Sequence, residues 1–172
     1  MPEMRWRFFH LLPAGNDFMS VRVQTEDFDL SQELTSMRLS GQSKKEGIGA
    51  IVSFVGLVRD INDGDAINLL TLEHYPVMTE KALAAIENEA KTRWDIIDTL
   101  IIHRVGTLKP LDQIVLVVVT SAHRGEAFSA CEFIMDYLKT SAPFWKKETT
   151  NQGEHWVEAK PSDDAAKARW QK

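Results

Sequence analysis

Cysteine occurs only once in the 172 residues, at Cys131, so no internal disulfide can form and no Cys-rich zinc site can be built. Nowhere do about 18 apolar residues run together, which excludes a membrane-spanning helix. The apolar run Phe8-Phe9-His10-Leu11-Leu12 is shorter than the roughly 7–15 residues of a secretory signal core, and the expected compartment is a reducing cytoplasm. Positive charge is also scarce. Twenty Lys and Arg stand against 25 Asp and Glu, a net charge of −5, which argues against a general nucleic-acid binder while leaving room for a local basic pocket. His10, His74, His103, His123 and His155 never fall at H-x-x-x-H spacing, so neither a metal nor a cofactor is expected. Gly47 and Gly49 begin a G-x-G, but Val52 follows in a strand-like stretch, and no dinucleotide or phosphate loop results. No G-x-S-x-G elbow surrounds Ser53, Ser121 or Ser129.

What is present is an ordinary globular composition, 44% hydrophobic and 26% charged, in a chain long enough for one domain. Residues 1–18 share no periodicity with the rest of the chain and read as an N-terminal extension; 19–160 form the domain and 161–172 a polar C-terminal tail. Ser20–Thr25 alternates as a short half-buried strand. Asp29 or Ser31 caps a helix to about Leu39, stopped by Ser40-Gly41. Gly47–Val58 is almost wholly apolar and predicts a central strand with both faces covered. Arg59–Ala66 is a polar loop, and Asn68–Tyr75 returns as a strand in a hairpin with the previous one. Met78–Trp94 predicts a helix on the stripe Met78, Ala82, Ile86 and Ala90. Thr99–Val105 and Gln113–Thr120 are apolar strands around a Gly106…Pro110 turn. Glu126–Lys139 is a second amphipathic helix on Ala127, Cys131, Ile134 and Leu138, ended by Pro143. Phe144–Thr149 and His155–Ala159 are short strands joined at Asn151-Gln152-Gly153. Hairpins mixed with crossovers make the fold class α+β.

Cations cluster at the ends of these elements. Arg59 follows the apolar strand, His123 and Arg124 open the second long helix, and Lys139 closes it. Lys146 and Lys147 lie just past the Ala142-Pro143 break. A helix start with two such side chains is a ready anion site, although each cation alone also reads as a solvated surface charge. Phe54 and the Phe144-Trp145 pair are read first as core, with a wall for a flat heterocycle as the alternative for the pair. Cys131 on its apolar stripe reads as inert packing, and His74 as a structural histidine.

These residues fall in segments that together resemble the large, catalytic subunit of molybdopterin synthase: GAIVSFVGLVRD (49–60), LTLEHYPVMTEKAL (70–83), IHRVG (102–106), VTSAHRGEAF (119–128), FIMDYLKTSAPFWKKE (133–148) and GEHWVEAK (153–160). The resemblance covers roughly residues 20–160. It implies an α/β hammerhead-type fold with an added small antiparallel β subdomain, and a homodimer within a heterotetramer. Each end of that dimer receives a small ubiquitin-like sulfur-carrier subunit with a C-terminal Gly-Gly thiocarboxylate. It further implies transfer of two sulfurs to cyclic pyranopterin monophosphate, forming the molybdopterin dithiolene. The substrate pocket carried over by resemblance is Leu57, Val58, Arg59, His123, Arg124, Lys139, Lys146, Lys147 and Glu148. Residues 1–18 have no counterpart in the family pattern. Lys160 stands where an arginine is familiar, keeping the charge but losing the bidentate fork.

A sulfurtransferase carrying its own sulfur needs an exposed, activated cysteine; a donor supplied by a second protein removes that need. Arg59, His123 and Arg124 are assigned to the phosphate and pterin end, and Lys139 and Lys146 to the reacting centre as catalytic residues. Two other classes stay open on the residues alone. One is a non-enzymatic dimeric anion-binding or scaffold module using the same cations; the other is a phosphate-ester hydrolase built on His123.

Overall fold

The computed structural model describes residues 19–44, 47–62, 64–157 and 161–171; the N-terminal extension and Lys160 lie outside the described residues. Along the chain run β1 (Val21–Gln24), α1 (Leu30–Lys44), β2 (Ala50–Leu57), β3 (Ile61–Asn62) and β4 (Asp65–His74). They are followed by α2 (Met78–Arg93), β5 (Ile96–Arg104), β6 (Gly106–Leu108), β7 (Gln113–Ser121) and α3 (Arg124–Ser141). Strands β8 (Phe144–Thr150) and β9 (Gly153–Val157) and helix α4 (Pro161–Ala168) complete the order. The class is α+β, as the sequence implies. Among the described residues no helix is long and apolar enough to cross a membrane.

Two sheets organise the described residues. The first has the order β1-β5-β7-β2, with β1 parallel to β5 and the other neighbours antiparallel. The middle of the central pair, Leu100–Ile102 of β5 and Ile114–Val119 of β7, is apolar because both faces are covered. On one face Ile101, Val115, Val117 and Val119 pack against α2 and α3 through Leu83, Ile86, Ala130, Phe133 and Ile134. On the other, Leu100, Ile102, Leu116 and Val118 meet Phe28 and Met37. Period-two alternation thus serves two half-cores from one run of residues.

The second sheet has the order β3-β4-β8-β9, with β6 also on β4. Its pairs are antiparallel. Val58, Leu70, Leu72 and Leu108 make a small core of their own, with Ile114 packed against it.

Several expectations change. The stretch predicted as a central strand, β2, is an edge strand among the described residues, with β7 as its neighbour, and Ile51, Phe54 and Leu57 on it are exposed. Its apolar content therefore does not reflect two covered faces within this chain. β4 makes its hairpin with β3, not β2, because the loop predicted over 59–66 itself contains β3 and the first two residues of β4. The turn predicted between β5 and β7 contains β6, which pairs with β4. Helix α1 continues through Ser40-Gly41 to Lys44; its start is capped as expected, with the Gln32 N–H donating to Asp29 Oδ1 at 3.0 Å. The buried face of α2 is Thr79, Leu83, Ile86, Glu87 and Ala90, while Met78 is exposed. Glu87 explains that rotation: its carboxylate is held inside by Ser20, Thr99 and Lys91, a polar anchor that a search for apolar stripes passes over. On α3 the stripe is as read: Ala127, Cys131, Ile134 and Leu138 are all buried.

Helix α4 lies along α3. Arg169 donates to Glu132 and Asp136, both at 2.7 Å, and Trp170 Nε1 to Asp136 at 2.7 Å. The Trp170 ring packs edge-on against Phe133 and Trp94, each at a centroid distance of 5.6 Å.

Candidate functional site

A cavity of about 740 Å³ opens where the end of β2, the second sheet and the C-terminal end of α3 converge. Its apolar walls include Phe54, Leu57, Val58, Leu70, Ile114, Leu138 and Phe144, and its polar groups include Arg59, Asn62, His103, Lys139, Lys146, Glu148 and Asp163. Phe54, expected in the core, is 40% exposed on this edge.

Local structure explains how each group arrives. The register of β2 against β7 shifts between Gly56 and Leu57, and such a bulge bends the strand and re-aims the residues after it. Val58 then bonds across to the loop before β7: its N–H donates to the Asp112 carbonyl and its own carbonyl accepts from Leu111, both at 2.9 Å. Leu57, Val58 and Arg59 are brought to the cavity wall by this exit. Lys139 comes from the last turn of α3, where a cation also suits the negative end of the helix.

Strand β8 decides the next three. Side chains alternate along a strand, so Phe144, Lys146 and Glu148 face the cavity while Trp145 and Lys147 point the other way. Lys147 instead forms an ion pair with Glu154 at 2.9 Å and lies over the Trp156 ring, 5.8 Å from its centroid. The hydrogen bond to Glu154 is the main cause of its raised pKa. Lys146 is the opposite case. Burial, and secondarily the neighbouring Lys139 ammonium, push its pKa below the ordinary lysine value.

Glu148 is 8% exposed and fully engaged. The Asn62 amide donates to its Oε1 at 3.0 Å and its Oε2 at 3.1 Å, and His155 Nε2 lies 3.2 Å from Oε2. Asn62 Oδ1 in turn accepts from Arg59 Nη2 at 2.7 Å.

His123 and Arg124 stand elsewhere. They open α3, and both are exposed; fifteen residues at a rise of about 1.5 Å put Arg124 about 22 Å from Lys139 along the helix. Within one chain, then, Leu57, Val58, Arg59, Lys139, Lys146 and Glu148 share a cavity, and His123, Arg124 and Lys147 do not line it. The loop at His123 is held tightly: the Gly49 N–H donates to Ser121 at 3.0 Å, and a side chain at Gly49 would collide with the Ala122 carbonyl.

Asn62, His103, His155 and Asp163 do not stand out as site residues in the sequence. His103 leaves one trace, an imidazole directly after the apolar run Leu100–Ile102. Asn62 leaves none, since its position is one polar residue among many in RDINDGDA. Cys131 is buried among apolar side chains, and burial pushes its thiol up to about 11, so it stays protonated and unreactive at neutral pH.

Comparison with known proteins adds to this geometry. The family model described as MoaE protein matches residues 23–141. The molybdopterin synthase catalytic subunit of Ralstonia nicotianae is 60% identical over 151 residues, which cover 88% of this chain and 84% of that protein. The solved molybdopterin biosynthesis MoaE protein from Burkholderia ambifaria superposes with a TM-score of 0.75 at 55% identity, covering 89% of this chain and 98% of that one. The crystal structure of molybdopterin synthase from Staphylococcus aureus superposes with a TM-score of 0.71 at 33% identity, covering 80% and 96%.

Proposed function

The chain belongs to the MoaE protein family, and from that membership we infer the catalytic subunit of molybdopterin synthase, a sulfurtransferase of molybdenum cofactor biosynthesis. Its sulfur comes from the C-terminal thiocarboxylate of a small ubiquitin-like subunit, and its acceptor is cyclic pyranopterin monophosphate. The observation that carries the site assignment is the placement of Arg59, Lys139 and Lys146 on one cavity in a protein of net charge −5. Both the substrate phosphate and the donor thiocarboxylate are anions, and a half-enclosed cationic cavity favours both.

Arg59 binds the phosphate end. The thiocarboxylate sulfur bonds to a carbon of the substrate as a C–O bond there breaks, giving a thioester-like adduct with the carrier's terminal glycine. In the first transfer the broken bond is the one to the cyclic phosphate, whose oxygen stays on phosphorus as the ring opens to a monoester. In the second the displaced oxygen leaves as water. Water then splits the acyl C–S bond, leaving the sulfur on the substrate and a carboxylate on the carrier; a second charged carrier repeats the cycle. Lys139 stabilises negative charge on the adduct. Lys146, whose pKa burial lowers, gives up a proton more readily than an ordinary lysine and is assigned the proton exchange. His123 and Arg124, about 22 Å along the helix from Lys139, serve the cavity of a second copy, so that each site of the homodimer draws on two chains. A reducing cytoplasm suits a free thiocarboxylate donor.

The direct test mixes the protein with thiocarboxylated small subunit and the cyclic substrate and measures molybdopterin. Lys139→Ala should lower turnover by at least about 10²-fold while folding and small-subunit binding persist. Near-normal turnover would remove Lys139 from the mechanism, and substrate binding by the wild type without product would favour a non-enzymatic module.

A further inference from the structure

An arginine that reads an anion must be presented in a fixed orientation, because five N–H groups on a long flexible stem otherwise sample many directions. Arg59 leaves the edge of the first sheet and is exposed. One of its nitrogens, Nη2, is nevertheless tied to Asn62 Oδ1 at 2.7 Å. Asn62 is 9% exposed on the two-residue strand β3. Its amide group is oriented in turn, since Nδ2 donates to both oxygens of the buried Glu148 at 3.0 and 3.1 Å. An amide meets both demands at once: its oxygen accepts from the guanidinium on one side and its NH2 donates to both carboxylate oxygens on the other.

Glu148 raises a chemical question that this relay answers. A carboxylate facing an anionic substrate repels it, yet Glu148 lines the cavity beside Lys146. Its oxygens are taken up by Asn62 and by His155 Nε2 at 3.2 Å, so its charge is spent inside the protein wall.

We propose that Asn62 is a positioning residue for the sulfur-transfer reaction: it couples Glu148 to Arg59, so that Glu148 acts on the anionic substrate through Asn62 and Arg59 instead of by contact. The inference rests on Arg59 binding the substrate phosphate, as the proposed function has it.

Steady-state kinetics of the complex with thiocarboxylated small subunit and cyclic pyranopterin monophosphate test it. Asn62→Leu removes both halves of the relay and should raise KM by about tenfold or more, with kcat within about threefold of wild type. Asn62→Asp sets two buried carboxylates against each other and should raise KM at least as much. Adding Glu148→Gln to Asn62→Asp reverses the inner hydrogen bond while keeping the total charge: the amide now donates from position 148 to a carboxylate at position 62, which still accepts from Arg59. The double variant should return KM to within about threefold of wild type. A KM within about twofold of wild type for Asn62→Leu overturns the proposal. So does a double variant no better than Asn62→Asp alone, which would mean that Glu148 meets the substrate itself. Thermal unfolding of each variant separates misfolding from lost orientation, and the double variant decides the matter if Asn62→Leu does not fold. Wild-type turnover in the same assay judges the functional reading independently, so a relay that fails beside an active wild type fails alone.

Discussion

The imidazole of His103 lies flat on the ring of Phe144, their centroids 3.7 Å apart and their planes inclined by 15°. His103 belongs to β5 of the first sheet and Phe144 to β8 of the second, so this stack joins the two sheets at the wall of the cavity. His103 is 5% exposed, and its Nδ1–H donates to the Arg104 carbonyl at 2.8 Å. Burial lowers its pKa to about 4, with the nearby Lys146 and His74 adding to the effect, so the ring is neutral at physiological pH.

A stability change follows from that neutral ring. In the unfolded chain the imidazole takes up its proton near pH 6.5, and in the folded protein only near 4. The unfolded state therefore binds more protons between these values, and stability falls as pH drops through that window. The loss by pH 4 is about 3 kcal/mol. In urea titrations from pH 7 to 4, His103→Gln should lose correspondingly less stability than wild type. Parallel curves for the two proteins would contradict the assignment.

Lys146 should show function and stability opposed. Its ammonium is held below the ordinary lysine pKa, mainly by burial, which means that the charged form is disfavoured in the folded state. Lys146→Met keeps the length of the stem and removes that cost. We expect Tm at pH 7 to rise by about 1–2 °C while turnover falls at least about 10²-fold. The sign has a check of its own: because the folded-state pKa is the lower one, raising the pH toward 10 relieves the wild type and narrows the gap. A variant less stable than wild type at pH 7 would show that the ammonium contributes more through its neighbours than burial costs.

Sharing of each site between two copies is open to complementation. Arg124→Ala and Lys139→Ala proteins are each expected to be inactive as homodimers. In a mixed dimer of a shared-site enzyme, one cavity collects both substitutions and the other collects neither. Unfolding and refolding an equal mixture should then recover about a quarter of wild-type activity. No recovery, with mixed dimers confirmed by mass, would place Arg124 and Lys139 in the service of the same chain's cavity or of none.

The sequence makes the middle of the fold legible and its margins less so. β5 and β7 declare themselves because residues buried on both faces leave an unbroken apolar run. The stripe of α3 does so because one face of it meets a sheet. β2 carries the same apolar signal yet lies at an edge, since composition registers that a surface must be covered and not what covers it. The pairing of β4 with β8 joins residues more than seventy positions apart, such as Leu72 and Lys146, a register that local pattern does not encode.

The site divides in the same way. Lys139 and Lys146 stand out as charges beside chain breaks, and alternation along β8 suffices to separate Lys146 from Lys147 once that strand is accepted. Asn62 cannot be found from local pattern, because its importance lies in joining Arg59, three residues before it, to Glu148, which a segment 86 positions away supplies. His123 and Arg124 are legible in the sequence as the opposite end of α3 from Lys139, and the structure keeps them there.

Helix α3 acts as a length standard. Both of its tips carry chemistry, and on the shared-site reading each tip answers to a different cavity. Inserting or deleting a single residue within it would turn one tip by about 100° and advance it by about 1.5 Å relative to the other. Such a change would put both active centres of the dimer out of phase at once. Mutational drift in this protein should therefore accept new side chains along α3 far more readily than a new number of them.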